Sequence, residues 1–168
     1  MKISFVVAAL DYPDRFKSVT TQENLKLQDS FMPQTISYHT ALIYVMVTMS
    51  AVDRTMTDSE LGRIGQIVQT LPIFSDFNPE WVLETAQDCG AILQEDGGLD
   101  AVLGLVKEAL PDKLHETAYA LAVDIAAADL TLEAEELRFL QMLRSTLHID
   151  KLIAASIERA ARARHQVA

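Results

Sequence analysis

Four carboxylates recur in register along this chain. Asp53 and Glu60 stand in Ala51-Val52-Asp53-Arg54-Thr55-Met56-Thr57-Asp58-Ser59-Glu60-Leu61, and Asp129 and Glu136 in Ala127-Ala128-Asp129-Leu130-Thr131-Leu132-Glu133-Ala134-Glu135-Glu136-Leu137. The aspartate, the glutamate and the leucine after it each return 76 residues later. Carboxylates on short turns serve two chemistries. They close helix N-termini by accepting from free backbone N–H groups, or they supply hard oxygen ligands to a cation. Gathered in one small region, four of them repel unless a cation or an arginine neutralises them. With no cysteine among them, such a set suits Ca2+ or Mg2+ better than a soft metal.

Each acid reads in more than one way. Thr57-Asp58-Ser59-Glu60 has the spacing of a capping box, so Glu60, and Glu136 in its register, are either caps or ligands. Asp58 and Glu133 suit a helix N-terminus in any case. Asp53 and Asp129 each follow a helical stretch, where the dipole disfavours negative charge, so they are either Asx-turn formers or ligands. Asp124 lies one turn before Ala128, near an inward apolar stripe, and its counterpart at the 76-residue offset is Thr48. It is either an extra ligand or a satisfied buried acid. The alternating acids and glycine of an EF-hand loop are absent. His39 and His115 share the offset but stand about four helical turns before their aspartates, which makes them helix-start or surface residues. His148 and His165 show no partner pattern.

Helices must position these turns. A first one is expected over Ser37–Val52, where Tyr38, Leu42, Val45, Met49 and Val52 form a stripe that Ile43, Met46 and Val47 widen. A second starts near Thr57, turns Leu61, Ile64, Ile67, Val68 and Leu71 inward, and ends before Pro72. Asn78-Pro79-Glu80 caps a third, containing Trp81, which Glu95-Asp96-Gly97-Gly98 breaks. A fourth runs through Leu99, Val102, Leu103 and Val106 towards Pro111. The first pattern then returns: Leu114, Ala118, Leu121, Ile125 and Ala128 repeat the first stripe, and Leu137, Leu140, Leu143 and Leu147 take the places of Leu61, Ile64, Ile67 and Leu71. A last helix starts at Asp150 and gathers Arg159, Arg162 and Arg164 towards its C-terminus, where cations complement the dipole. The chain reads as a duplicated helix–acidic turn–helix unit in an all-α bundle.

Composition excludes several classes. At 168 residues, 49 % apolar and 23 % charged, the chain suits one globular core. A formal charge of −10 leaves no broad basic surface for a phosphate backbone, so no nucleic acid is expected; a cation or a basic protein partner fits better. The lone Cys89 cannot form an intrachain disulfide and reads as a small core residue. No stretch approaches the ~20 apolar residues of a membrane span, which leaves peripheral membrane association open. Ile3–Leu10 is a short apolar run before a poor cleavage site, so the expected location is cytoplasmic. Residues 1–35 carry Pro13 and Pro33 and read as a loosely docked or flexible arm ahead of a helical domain over 36–168. Nucleophile elbow, phosphate loop, zinc spacing and dinucleotide fingerprint are all missing, so a non-enzymatic role is expected.

The paired segments AVDRTMTDSEL and AAADLTLEAEEL, each after an apolar helix, resemble the TerB-like family, named for tellurite resistance. The resemblance spans about residues 36 to 165. It implies a single seven-helix domain with an acidic surface that binds a divalent cation, tied to tellurite and other stress responses. Asp53, Glu60, Asp129 and Glu136 match the acids of its motif. Arg54 and Leu130 stand where glycine is usual, and Glu133 where the Ser/Thr cap would sit; Arg54 brings a charge able to neutralise a carboxylate. The expected function is therefore a stress-response module binding a cation through its acidic turns. The alternative is an acidic protein–protein interaction scaffold whose carboxylates only cap helices.

Overall fold

Tyr38–Ala51 contains no charged side chain, and it forms the helix, α1, around which the others stand. A helix apolar on all sides belongs in a core. Every residue from Ala41 to Ser50 is buried. The computed structural model describes residues 36–51, 56–128 and 133–166, all in one unit, and the expected N-terminal arm lies outside them. After α1 come α2 (Asp58–Thr70), α3 (Val82–Leu93), α4 (Gly98–Ala109), α5 (His115–Ala126), α6 (Ala134–Thr146) and α7 (Lys151–Arg164). Short 3-10 turns over Pro72–Phe74, Pro79–Trp81 and Asp112–Leu114 lead into or away from them. The fold is all-α, with seven α-helices and no strand among the described residues.

Helix α1 packs most extensively on α3, α5 and α4, and α2 lies against it more lightly. Helix α5 is a second post, carrying α7 on one side and α6 on another. Met46, Met49, Ile64, Val102, Tyr119, Phe139 and Leu143 are among the large side chains sealed in the shared core.

Local chemistry sets the helix ends. Thr57 is the N-cap of α2, and the chain leaves that helix at Leu71, where the following Pro72 disfavours helical backbone. Asn78 caps the 3-10 turn that holds Trp81, so the tryptophan precedes α3 instead of lying within it. Trp81 is 56 % exposed and meets Phe77 edge-on at 6.0 Å between ring centroids. Between α3 and α4 the chain turns on Gly97, whose φ of 78° is left-handed. Gly98 next to it is buried, and a Cβ there would overlap the Ile92 carbonyl oxygen and lie 2.8 Å from Leu93 Cα. At the end of α6, Ile149 N–H donates to Arg144 O at 3.0 Å and His148 N–H to Ser145 O at 3.3 Å. That is a Schellman closure, with His148 at φ 53° in the place glycine usually takes.

Among the described residues the expected inward stripes are buried or half-buried except at Leu137, and Val52 lies outside those residues. Leu140, Leu143 and Leu147 are buried, but Leu137 is 47 % exposed. Helix α6 presents Phe139 to the core instead, and Glu136 comes with it to the buried margin. A longer aromatic side chain fills more of the interior, so it sets the rotation of the helix.

Two substitutions test these backbone assignments. His148→Gly should raise unfolding free energy by about 1 kcal/mol, because only glycine adopts left-handed φ without Cβ strain. Gly98→Ala should lower it by roughly 1–3 kcal/mol as the loop shifts to admit the methyl group. Urea unfolding followed by circular dichroism reads both.

Candidate functional site

The acidic turns lead into α2 and α6. At the start of α2, Thr57 has the extended backbone of an N-cap and its Oγ1 accepts from Glu60 N–H. Glu60 returns the interaction: its Oε2 accepts from Thr57 N–H at 2.6 Å and from Thr57 Oγ1 at 2.7 Å. At the start of α6, Glu133 is the N-cap and its N–H donates to Glu136 Oε2 at 2.8 Å. The two glutamates, 76 positions apart, therefore occupy the same place at the third residue of their helices and make the same bond to the N-cap backbone. The expected capping box is present at Thr57, and Glu133 replaces the hydroxyl cap without loss of the backbone-to-glutamate bond. Glu136 is buried and Glu60 half-buried.

Asp53 and Asp129, with Arg54, lie outside the described residues. Asp124 sits on α5, half-buried, where Arg164 of α7 donates to its Oδ1. As a ligand it would have to offer its second oxygen or give up that arginine. Its counterpart Thr48 is fully buried and lies 3.7 Å from Cys89 Sγ. Among the described residues no three histidine, cysteine, aspartate or glutamate side chains gather as an ion-binding group.

The histidines hold the other end of each hairpin. His39, near the start of α1, places Nε2 3.0 Å from the Ile73 carbonyl and 3.1 Å from Asp76 Oδ1. Tyr38 OH donates to the same aspartate at 3.4 Å. His115, first in α5, places Nδ1 3.0 Å from the Leu147 carbonyl. Each ring thus bonds the chain just beyond the partner helix, α2 or α6, which runs back antiparallel. Each lies at the opposite end of its first helix from the acidic turn, about 20 Å away for α1 by helical rise. Of the two expected roles, helix-start and surface, the first holds for both. His39 is buried, however, and His115 half-buried, each bonded to the returning chain, for which the shared 76-residue offset is the sequence signal.

Cys89 is fully buried, and burial pushes its thiol from the ordinary 9.0 up to about 11, against a smaller opposite effect of the Thr48 hydroxyl. Buried and protonated at neutral pH, Cys89 packs as a small core residue. Burial, then the 2.6 Å bond from Tyr119 OH to Glu158 Oε1, raises the Tyr119 phenol and fixes it as a donor tying α5 to α7. The Ser50 hydroxyl, buried at the end of α1, has no hydrogen-bond partner among the described residues.

The family model described as Tellurite resistance protein TerB matches residues 39–159, which takes in both acidic segments and all seven α-helices except Tyr38 and the last five residues of α7. No curated protein and no solved structure matches significantly.

The cap and the thiol each give a measurement. Glu60→Ala and Glu136→Ala should each cost about 1 kcal/mol of stability, whereas Glu60→Gln, which keeps an accepting oxygen, should cost less than half of that. Thermal unfolding with added chelator reads the loss in the absence of a bound ion. For Cys89 the unfolded thiol ionises near 9.0 and the folded one near 11, so its contribution is intact below pH 9.0 and is lost as pH rises towards 11. Denaturation midpoints across that window should fall less steeply in Cys89→Ala than in the unmodified chain.

Proposed function

The chain belongs to the TerB family, and from that premise we propose that it is a non-enzymatic, cytoplasmic stress-response module of the tellurite-resistance kind that binds a divalent cation, Ca2+ or Mg2+ in preference. The ligands are Asp53, Glu60, Asp129 and Glu136. One observation carries the reading: Glu60 and Glu136 are held by the same capping bond at equivalent helix starts. A carboxylate already oriented by its cap loses little side-chain freedom when an ion arrives, and preorganisation of this kind favours binding. The cation would offset the repulsion of the carboxylates and hold the α1–α2 hairpin to the α5–α6 hairpin. Among the described residues no helix is long and apolar enough to cross a membrane.

The same caps also favour a second reading. A glutamate that satisfies a backbone N–H has a purpose without any ion. The acidic corners then recruit a basic protein, in a scaffold role that high salt weakens.

Calorimetric titration separates the two. The ion reading expects heat on adding Ca2+ or Mg2+, a rise in melting temperature with ligand concentration of the size set by linkage, and loss of both in Asp53→Asn/Asp129→Asn. Absence of heat with either ion in the unmodified chain rejects it and leaves the scaffold.

A further inference from the structure

Helices α2 and α5 are both laid against α1, yet among the described residues they make no extensive packing on each other. Between them, closed at one end by the C-terminus of α7, lies a cleft of about 400 Å³. That volume falls within the range of small-molecule sites. Its walls are helical stripes: Arg63, Ile67, Thr70 and Leu71 from α2 and the residue after it, and Leu121 and Asp124 from α5. Ile67 and Leu71 are half-buried and Leu121 is buried, so the walls are largely apolar beneath a charged rim.

The rim is basic in a chain whose formal charge is −10. Arg164 and His165 line it from α7, and Arg63 from α2. Asp124 holds Arg164 at the rim through one oxygen and neutralises one positive charge. A guanidinium has five N–H donors, so Arg164 keeps donors beyond the one that Asp124 engages. Arg63 makes no ion pair or side-chain hydrogen bond among the described residues. The residue 76 positions after Arg63 is Phe139, which is 1 % exposed in the core. Where α6 closes its packing with an aromatic ring, α2 places a cation beside open space.

We propose that this cleft binds a small amphipathic anion, a carboxylate or similar head on a compact apolar body. The head is taken by Arg63 and the remaining donors of Arg164, and the body lies along Ile67, Leu71 and Leu121. Apolar enclosure strengthens the charge-assisted bond and rejects fully hydrated inorganic anions. Ala128, the last described residue before Asp129, also lines the cleft, so the site borders the second acidic turn, while Glu60 and Glu136 are not among its described lining residues.

The probe is sodium octanoate, titrated into the 15N-labelled full chain in the presence of chelator, with octanol and octylammonium as controls. Saturable amide shifts are expected at Arg63, Ile67, Thr70 and Leu121, weaker ones with octanol and none with octylammonium. Arg63→Ala should weaken octanoate about tenfold, the loss of one charge-assisted hydrogen bond, and leave octanol unchanged. Arg63 is on the rim and outside the core, so this variant should fold; Ile67→Trp, which fills the cleft, should abolish shifts from both probes. Shifts absent at saturating octanoate, spread over other surfaces, equal for octanoate and octylammonium, or unaltered by Arg63→Ala would overturn the proposal.

Discussion

The bundle depends on one constraint: α1 offers water nothing. From Ala41 to Ser50 it has no exposed face, so the rest of the domain must surround it. Burying apolar side chains is favourable by about 25 cal/mol per Å², and a helix with apolar residues on every side gains most when covered on every side. Helices α3, α4 and α5 cover three sides and α2 a fourth. The remaining helices, α6 and α7, are carried by α5, which is buried along much of its length.

Helices further from α1 rely more on polar ties. Helix α7 buries only Ala154 and Ala161, two turns apart, which allows close approach to α5 but contributes little apolar area. Tyr119 to Glu158 and Asp124 to Arg164 tie it to α5 at two points. The ends of the hairpins are treated likewise. Histidines fasten the open ends to backbone carbonyls, and glutamates satisfy backbone donors where the second helix begins. Every one of these groups would cost free energy if buried without a partner, so each tie fixes a geometry as well as adding stability.

The family match and the helix ends agree in what they emphasise. The matched span, residues 39–159, begins at one of the histidines that fasten a hairpin and includes both acidic turns. A basic-rimmed cleft that borders an acidic turn gives this small domain groups of opposite charge preference on neighbouring elements.

Much of this was legible in one dimension. Helix starts and stops followed from Thr57, Pro72, Asn78, Gly97 and Asp150, because caps and breakers act on their immediate neighbours. The central place of α1 followed from its lack of charge, and the burial of Cys89 from its spacing. The glutamate caps were readable as one of two roles. Other features depended on packing between segments distant in sequence. The rotation of α6 that exposes Leu137 accompanies the burial of Phe139, which the 76-residue register left out of the inward stripe. The bonds of His39 and His115 need the return of a helix more than thirty residues later. The partner of Asp124 is forty residues away, and the cleft beside it exists because α2 and α5 lean on α1 without closing on each other. Sequence alone determined which residues form helices and which helix must be innermost, since those depend on local backbone chemistry and on hydrophobicity. Only the tertiary structure decided how each outer helix is rotated and what its charged residues meet, because those are set by the volumes of side chains brought together from both halves of the chain.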